Sequence, residues 1–291
     1  MVTSGYKFCC LPLLVLLSCG SMIAPPSSVG SSGVVKQETL VWSDEFSGAT
    51  VPSAPNSQNW TYDSGPARWN KELETYCAYG SSTAPCEAKN PNAYVGTDGY
   101  LHIVSRSPSN GVYTSARLKS EGLQSFQYGR IEARIKMPEG QGMWPAFWML
   151  GNDITTVDWP ACGEMDIMES VGSRPSTNYG SIHGTGFTGT PINTPYTLPN
   201  NARFGDAFHT FGVLWSPKLL KFYVDSPTNV YATYTPSSLP KGAVWPFDDR
   251  KFFFILNVAV GGDWPGSPDK TTVFPQEMLV DYVRVYAEPT S

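Results

Sequence analysis

The sequence predicts an all-β protein built as a two-sheet sandwich, and three observations predict it. Short runs alternate apolar and polar residues, no segment holds a 3.6-residue period over three turns, and 25 prolines with 27 glycines break the 291-residue chain too often for long helices. Side chains two apart share a strand face, so alternation gives a face to bury, and two such sheets bury each other.

The runs follow in order. GYLHIVSR (99–106) comes first, and YGRIEARIKM (128–137) shows the pattern most clearly. In it Ile131, Ala133 and Ile135 fall on one face, while Arg130, Glu132 and Arg134 fall on the other, which predicts a half-buried strand. HTFGVLWS (209–216), LKFYVD (220–225), FFFILNVAV (252–260) and MLVDYVRVY (278–286) are likewise rich in β-branched and aromatic residues and bounded by turn formers. There is no internal repeat and no second composition regime, so one domain is expected from about residue 38 to 288.

Composition narrows the function classes. A net charge of −5 and a pI near 5.2 lack the basic stripe that nucleic acid or anionic lipid requires, so a neutral partner is expected. Residues 1–19 read as an export signal: Lys7 precedes the apolar run Phe8–Leu17, which is too short to span a bilayer. Leu16, Leu17 and Ser18 precede Cys19 as in a bacterial lipoprotein cleavage site; a lipid anchor at Cys19 and simple cleavage nearby both stay open. Residues 20–37 are rich in Gly, Ser and Pro and read as a flexible linker. Cys77 and Cys86 flank a loop short enough to close as a local disulfide after export, which leaves Cys162 over.

The chemistry concentrates in CGEMDIMES (162–170), where Glu164, Asp166 and Glu169 crowd an apolar stretch that holds no basic residue. On a strand Glu164 and Asp166 share a face, but Glu169 joins them only if a β-bulge inserts one residue, with Met165 and Ile167 then pointing into the core. Three like charges repel, so at least one carboxyl should keep its proton to higher pH than a free one. An ionised carboxylate beside a protonated one is what glycoside hydrolysis needs. A calcium site would mix carboxylates with loop carbonyls, and a wet acidic edge would not follow WPAC or lie near Trp144 and Trp148 in sequence. His183 to Gly189 has GxGxxG spacing but no helix pattern after it, so it reads as a loop.

GEMDIMES resembles the signature of glycoside hydrolase family 16, in the bulged form of its laminarinase-like members. WSDEF (42–46), NKELETY (70–76), DGYLHI (98–103), YGRIEARIKMPEGQGMWPAFWML (128–150), HTFGVLWSP (209–217) and FILNVAVGGDWPG (254–266) resemble the family's blocks in the family's order. The resemblance implies a β-jelly-roll sandwich of two antiparallel sheets with a substrate cleft. It also implies a retaining endo-hydrolase of β-1,3-glucan that needs no cofactor for catalysis and is exported. A monomer acting on a neutral polysaccharide is expected. Another β-glycan, mixed-linkage glucan or a galactan, stays open as substrate, and so does a non-catalytic glycan-binding role, against which the complete set of acids stands.

The resemblance assigns Glu164 as nucleophile, Asp166 as assisting carboxylate and Glu169 as general acid and base. Trp144 and Trp148 match aromatics near the cleft; Phe147 and Trp148 cannot both face it, and Trp148 is expected toward the core. Trp159 and Trp264 lie in contexts that favour an exposed ring, and a sugar's apolar face stacks on indole. His183 matches a histidine on the strand beside the acids, while Gly184 after it departs from the aromatic of many relatives and implies a more open cleft. Asn70, Glu72 and Arg106 match sugar-binding positions. The segment CAYGSSTAPC adds a loop expected to wall one cleft end. A structural calcium would use Glu45 and Asp281, although Asp281 also reads as a salt bridge to Arg284.

Overall fold

The alternation in YGRIEARIKM becomes the strand Gly129–Lys136, with Ile131, Ala133 and Ile135 fully buried on its inner face. This computed structural model describes residues 38–188 and 192–287; the predicted leader, Cys19, the linker and Gly189 lie outside them. The larger sheet runs from edge to edge through Val230–Tyr234, Leu219–Val224, His209–Ser216, Gly129–Lys136, Gln276–Tyr286, Leu101–Ser109, Val112–Ser115, Glu74–Tyr76 and Gly65–Pro66. Leu40–Asp44 and Ala93–Val95 pair onto it off this path. The smaller sheet runs Ile192–Thr197, Thr177–His183, Glu164–Glu169, Met143–Gly151, Phe252–Val260, Arg117–Lys119, Thr61–Asp63.

Together they form the expected β-jelly-roll sandwich. Pairing is antiparallel except between Glu74–Tyr76 and Val112–Ser115, which run parallel because a long excursion rather than a hairpin joins them. The helical pieces among the described residues are one turn at Ile154–Val157 and 3-10 turns at Pro199–Asn201 and Pro236–Ser238.

The core lies between the sheets. Phe254 stacks at 5.5 Å on both Trp42 and Phe126 and lies 6.0 Å from Phe147. Phe254 and Phe147, both fully buried, each contribute about 1.5–3 kcal/mol relative to exposure. The apolar run of Phe252–Val260, interrupted only by Asn257, has its cause here, because all nine residues are buried. Phe252, Phe254 and Leu256 face the main core, whereas Phe253 and Ile255 pack on the other face with Leu150, Cys162 and Trp148.

Cys77 and Cys86 form the predicted disulfide, and Cys162 is free and buried. The closed loop meets the carboxylate-bearing sheet at its edge strand, where Tyr79 lies beside Tyr62. Within the described part of the GxGxxG stretch the chain turns, and the Phe187 N–H donates to the Gly184 carbonyl at 3.1 Å. The ring of Phe187 fills the space over Gly184, so the missing side chain leaves no gap: a Cβ there would come within 2.5 Å of it.

The calcium expectation fails on the larger sheet's outer face. Arg284 is taken by Glu45 through two contacts of 2.9 and 2.7 Å, and Asp281 pairs with Arg134 at 2.5 Å rather than with Arg284. Two carboxylates already neutralised by guanidinium groups do not fit a cation site. Strand register explains the exchange, since Arg284 lies opposite Ser43, beside Glu45.

Candidate functional site

The strand Glu164–Glu169 sits between Thr177–His183 and Met143–Gly151. Asp166 lies opposite Ser181, yet Glu169 lies opposite Tyr179, so Ile167 and Met168 together face one residue of the neighbour. This is the predicted bulge. Met165, Ile167 and Met168 all enter the core, and Glu164, Asp166 and Glu169 emerge together on the outer face.

The same register fixes the tryptophans. Ala146 pairs with Glu169, Trp148 with Asp166 and Leu150 with Glu164, so Trp144, Ala146, Trp148 and Leu150 share the carboxylate face. The expectation that Trp148 turns to the core is therefore corrected: Phe147 is the core residue. Trp148 donates its indole N–H to Asn257 Oδ1 at 2.8 Å.

Each outer carboxylate is held by an indole. Trp159 Nε1 donates to Glu164 Oε2 at 2.6 Å, and Trp144 Nε1 donates to Glu169 Oε1 at 2.9 Å. Trp159 is still 49% exposed and Trp264 40% exposed, so both leave ring surface to a ligand. Trp264 meets Trp144 and Tyr179 edge-on at 5.6 and 5.1 Å, building an aromatic corner beside Glu169.

His183 faces the acids from the next strand. Its Nε2 stands 3.2 Å from Asp166 Oδ2 and 4.0 Å from Glu164 Oε1. Burial disfavours the imidazolium, but Asp166 overrides it and holds the His183 pKa up at about 9. Burial is also the main force on Asp166, only 3% exposed, and with the charge of Glu164 it raises that carboxyl well above the usual range. Both shifts favour keeping a proton on the Asp166–His183 pair at neutral pH. Burial pushes Glu169 up to about 7, against the Trp144 N–H and His183 and with the charge of Glu164. Glu164, Asp166 and His183 also offer ligand atoms within 4.8 Å of one another, the one such metal-capable group among the described residues.

Asn70 and Glu72 reach the same face through a relay. Asn70 Nδ2 and Tyr76 Oη donate to the two oxygens of Glu72, each at 3.1 Å, and Asn257 Nδ2 donates to Tyr76 Oη at 3.2 Å. Arg106 does not join them. It lies on Leu101–Ser109 in the other sheet, on the side away from the core, and donates to the Pro91 carbonyl at 3.4 Å. Strand parity gives its face, but its sheet depends on long-range pairing.

The arginine that does reach this face is Arg117, which sequence reasoning missed. Its guanidinium lies 4.7 Å from the ring centre of Trp148 and 5.5 Å from that of Trp69, with Asp63 at 3.0 Å. Trp69, 59% exposed, was missed as well. The signal was present in both: a charge between Ala116 and Leu118, and an indole just before Asn70.

Three carboxylates aligned on an outer sheet face and rimmed by indoles define a carbohydrate-acting β-sandwich. Residues 79–284 match Glycosyl hydrolases family 16, and the chain belongs to that family. It is 38% identical to a β-glucanase of Rhodothermus marinus over 260 residues, covering 85% of this chain and 84% of that protein. Among solved structures it is similar to the catalytic domain of an endo-1,3-β-glucanase (laminarinase) from Thermotoga petrophila, at 40% identity and TM-score 0.76, covering 88% of this chain and 100% of that one. The endo-β-1,3-glucanase of Pyrococcus furiosus is 43% identical with a TM-score of 0.75, covering 87% and 95%.

Proposed function

We propose that this glycosidase is an endo-acting, retaining hydrolase of β-1,3-glucan. The observation that carries the reading is the bulge, which sets Glu164 and Glu169 on one face with each fixed by an indole N–H. The three relatives named above, all glucanases, support the glucan substrate.

In this reading Glu164 attacks the anomeric carbon while Glu169 gives its proton to the departing glycosidic oxygen, forming a glycosyl-enzyme ester. Glu169, now ionised, takes a proton from water as that water displaces Glu164 from the same carbon. Two inversions retain the configuration. Asp166 and His183 hold a proton beside Glu164 and keep the local charge balanced as Glu164 turns from anion to ester. The rings of Trp144, Trp159 and Trp264 and the Asn70–Glu72 relay bind sugar units on either side. Reactions of this family need no cofactor.

A monomer remains part of this reading, and the molar mass of the full chain by light scattering tests it. The leader-like residues 1–19 and the Cys77–Cys86 disulfide support export. No helix among the described residues is long and apolar enough to cross a membrane. Lipid attachment at Cys19 and release by cleavage are separated by palmitate labelling of the full chain.

The test is a reducing-end assay against laminarin, lichenan, agarose and a β-1,3-galactan in parallel. Release of short oligomers from laminarin, with the β-anomer formed first by NMR and no turnover in Glu164→Gln, is the expected result. Cleavage of another glycan alone overturns the substrate, and initial α-anomer overturns double displacement.

A further inference from the structure

Sugar-recognition chemistry recurs on the outer face of the larger sheet, away from the carboxylates. Along Leu101–Ser109, Leu101 and Ile103 are fully buried in the core, so Arg106 belongs to the opposite face. A depression of about 320 Å³ opens there, bounded by Asn92, Thr114, Arg106, Asn90, Ser107 and the ring of Phe274. Its size falls at the lower end of small-molecule sites, which run from about 300 Å³ upward, and suits one or two pyranose units. None of Glu164, Asp166, Glu169 and His183 lines it.

The depression is preorganised. Asn92, 1% exposed, donates through Nδ2 to the Val104 carbonyl at 2.7 Å and to Thr114 Oγ1 at 3.0 Å, fixing both polar side chains in the base. Pro85 and Glu87 flank the disulfide-bonded Cys86, so the rim nearest them is tied by a covalent link. Arg106 makes one long contact, from its guanidinium end to Pro91 O, and its Nε is buried. A lining glutamate, Glu87, disfavours an anion in a chain of net charge −5. The guanidinium end of Arg106, the rim side chains of Asn90 and Ser107 and the side chain of Phe274 suit the hydroxyls and the apolar face of a neutral sugar, over a base held rigid by Asn92.

We infer that this depression is a second glycan-binding site, which holds a neutral polysaccharide at a point remote from the cleavage site. The identity of the glycan rests on the β-1,3-glucan reading above. Two attachment points on one polymer raise the effective concentration of chain at the cleft without altering the chemistry of a short substrate.

The test is a calorimetric titration of the full-chain Glu164→Gln protein with laminarihexaose. Two equivalents are expected, falling to one when Arg106→Ala is added and also when Asn90→Tyr, an exposed rim change that fills the depression, is added instead. With Glu164 intact, Arg106→Ala should cut laminaritetraose at the parent rate and insoluble β-1,3-glucan several-fold more slowly. A single equivalent in Glu164→Gln, or two retained in both added variants, overturns the site. Should the parent cut a different neutral glycan, the functional reading fails alone; the titration with oligomers of that glycan then decides the second site by the same count.

Discussion

The indole N–H of Trp144 donates to Glu169 Oε1 at 2.9 Å, so a ring expected to stack on sugar also aims a carboxylate. The bond favours the ionised form and opposes the burial that lifts Glu169 to about 7. Trp144→Phe keeps a stacking ring and removes the donor. Its kcat should fall by about tenfold, a hydrogen bond to a charged group being worth about 1.5 kcal/mol or more. The alkaline limb of kcat/KM should move to higher pH, because Glu169 must be protonated to act as acid and now holds its proton longer. A pH–rate profile in which that limb stays in place or moves down would refute the role given to this bond.

Glu169 also sets a stability cost. Its folded pKa of about 7 lies above the ordinary 4.5, so the stability of the protonated form is fully present below 4.5 and is lost as pH rises through 7. Glu169→Gln removes the titration. At pH 4 the variant should melt close to the parent, and at pH 8 it should be more stable by up to about 3 kcal/mol, several degrees in Tm. Calorimetry at the two pH values checks this, and equal gains at both would mean that ionisation is not the cause.

Arg117 lies against the rings of both Trp148 and Trp69, at 4.7 and 5.5 Å, and so stiffens the two indoles at the end of the cleft nearest Asp63. Arg117→Met keeps the apolar stem and loses the charge. Losing a partly buried cation–π pair, about 1–2 kcal/mol, should raise KM for laminarin roughly tenfold while kcat stays within about twofold. A loss confined to kcat would place Arg117 in the chemistry instead.

The carboxylates were legible because their spacing admits only two arrangements on a strand, and only the bulged one brings Glu169 to the others. Residues whose placement depends on pairing between distant segments were not. Trp148 was misplaced since either Phe147 or Trp148 satisfies alternation, and the choice follows from the register opposite Asp166. Arg106 and Arg117 both lie on strands, and only the sheet that each strand joins tells a cleft residue from one on the far face. Glu45 and Asp281 looked like calcium ligands because their arginine partners, Arg284 and Arg134, become neighbours only through the pairings around Gln276–Tyr286. Within a strand, periodicity decides the face; between strands, register decides the neighbour.

Glu74 supplies a prediction about the loop that carries Trp69, Asn70 and Glu72. That loop is stitched to the end of the Phe252–Val260 strand: Leu73 N–H donates to Val260 O at 2.8 Å, Val260 N–H to Glu74 Oε2 at 2.7 Å, and Asp263 N–H to Asn70 O at 2.8 Å. Burial, aided by the charge of Glu72, pushes Glu74 up to about 8. The raised value means that its contribution is complete below 4.5 and lost as pH climbs through 8, where an anion beside Glu72 strains the stitch. KM of the parent should therefore rise above pH 8, independently of the fall in kcat that Glu169 causes near 7. Glu74→Gln keeps an acceptor for the Val260 N–H and does not ionise, so its KM should stay flat to pH 9. Glu74→Ala leaves that buried N–H unpaired and should cost about 1–3 kcal/mol at every pH. Steady-state kinetics of the three proteins from pH 6 to 9 separate the effects, and a parent-like rise in KM for Glu74→Gln would place the alkaline change elsewhere.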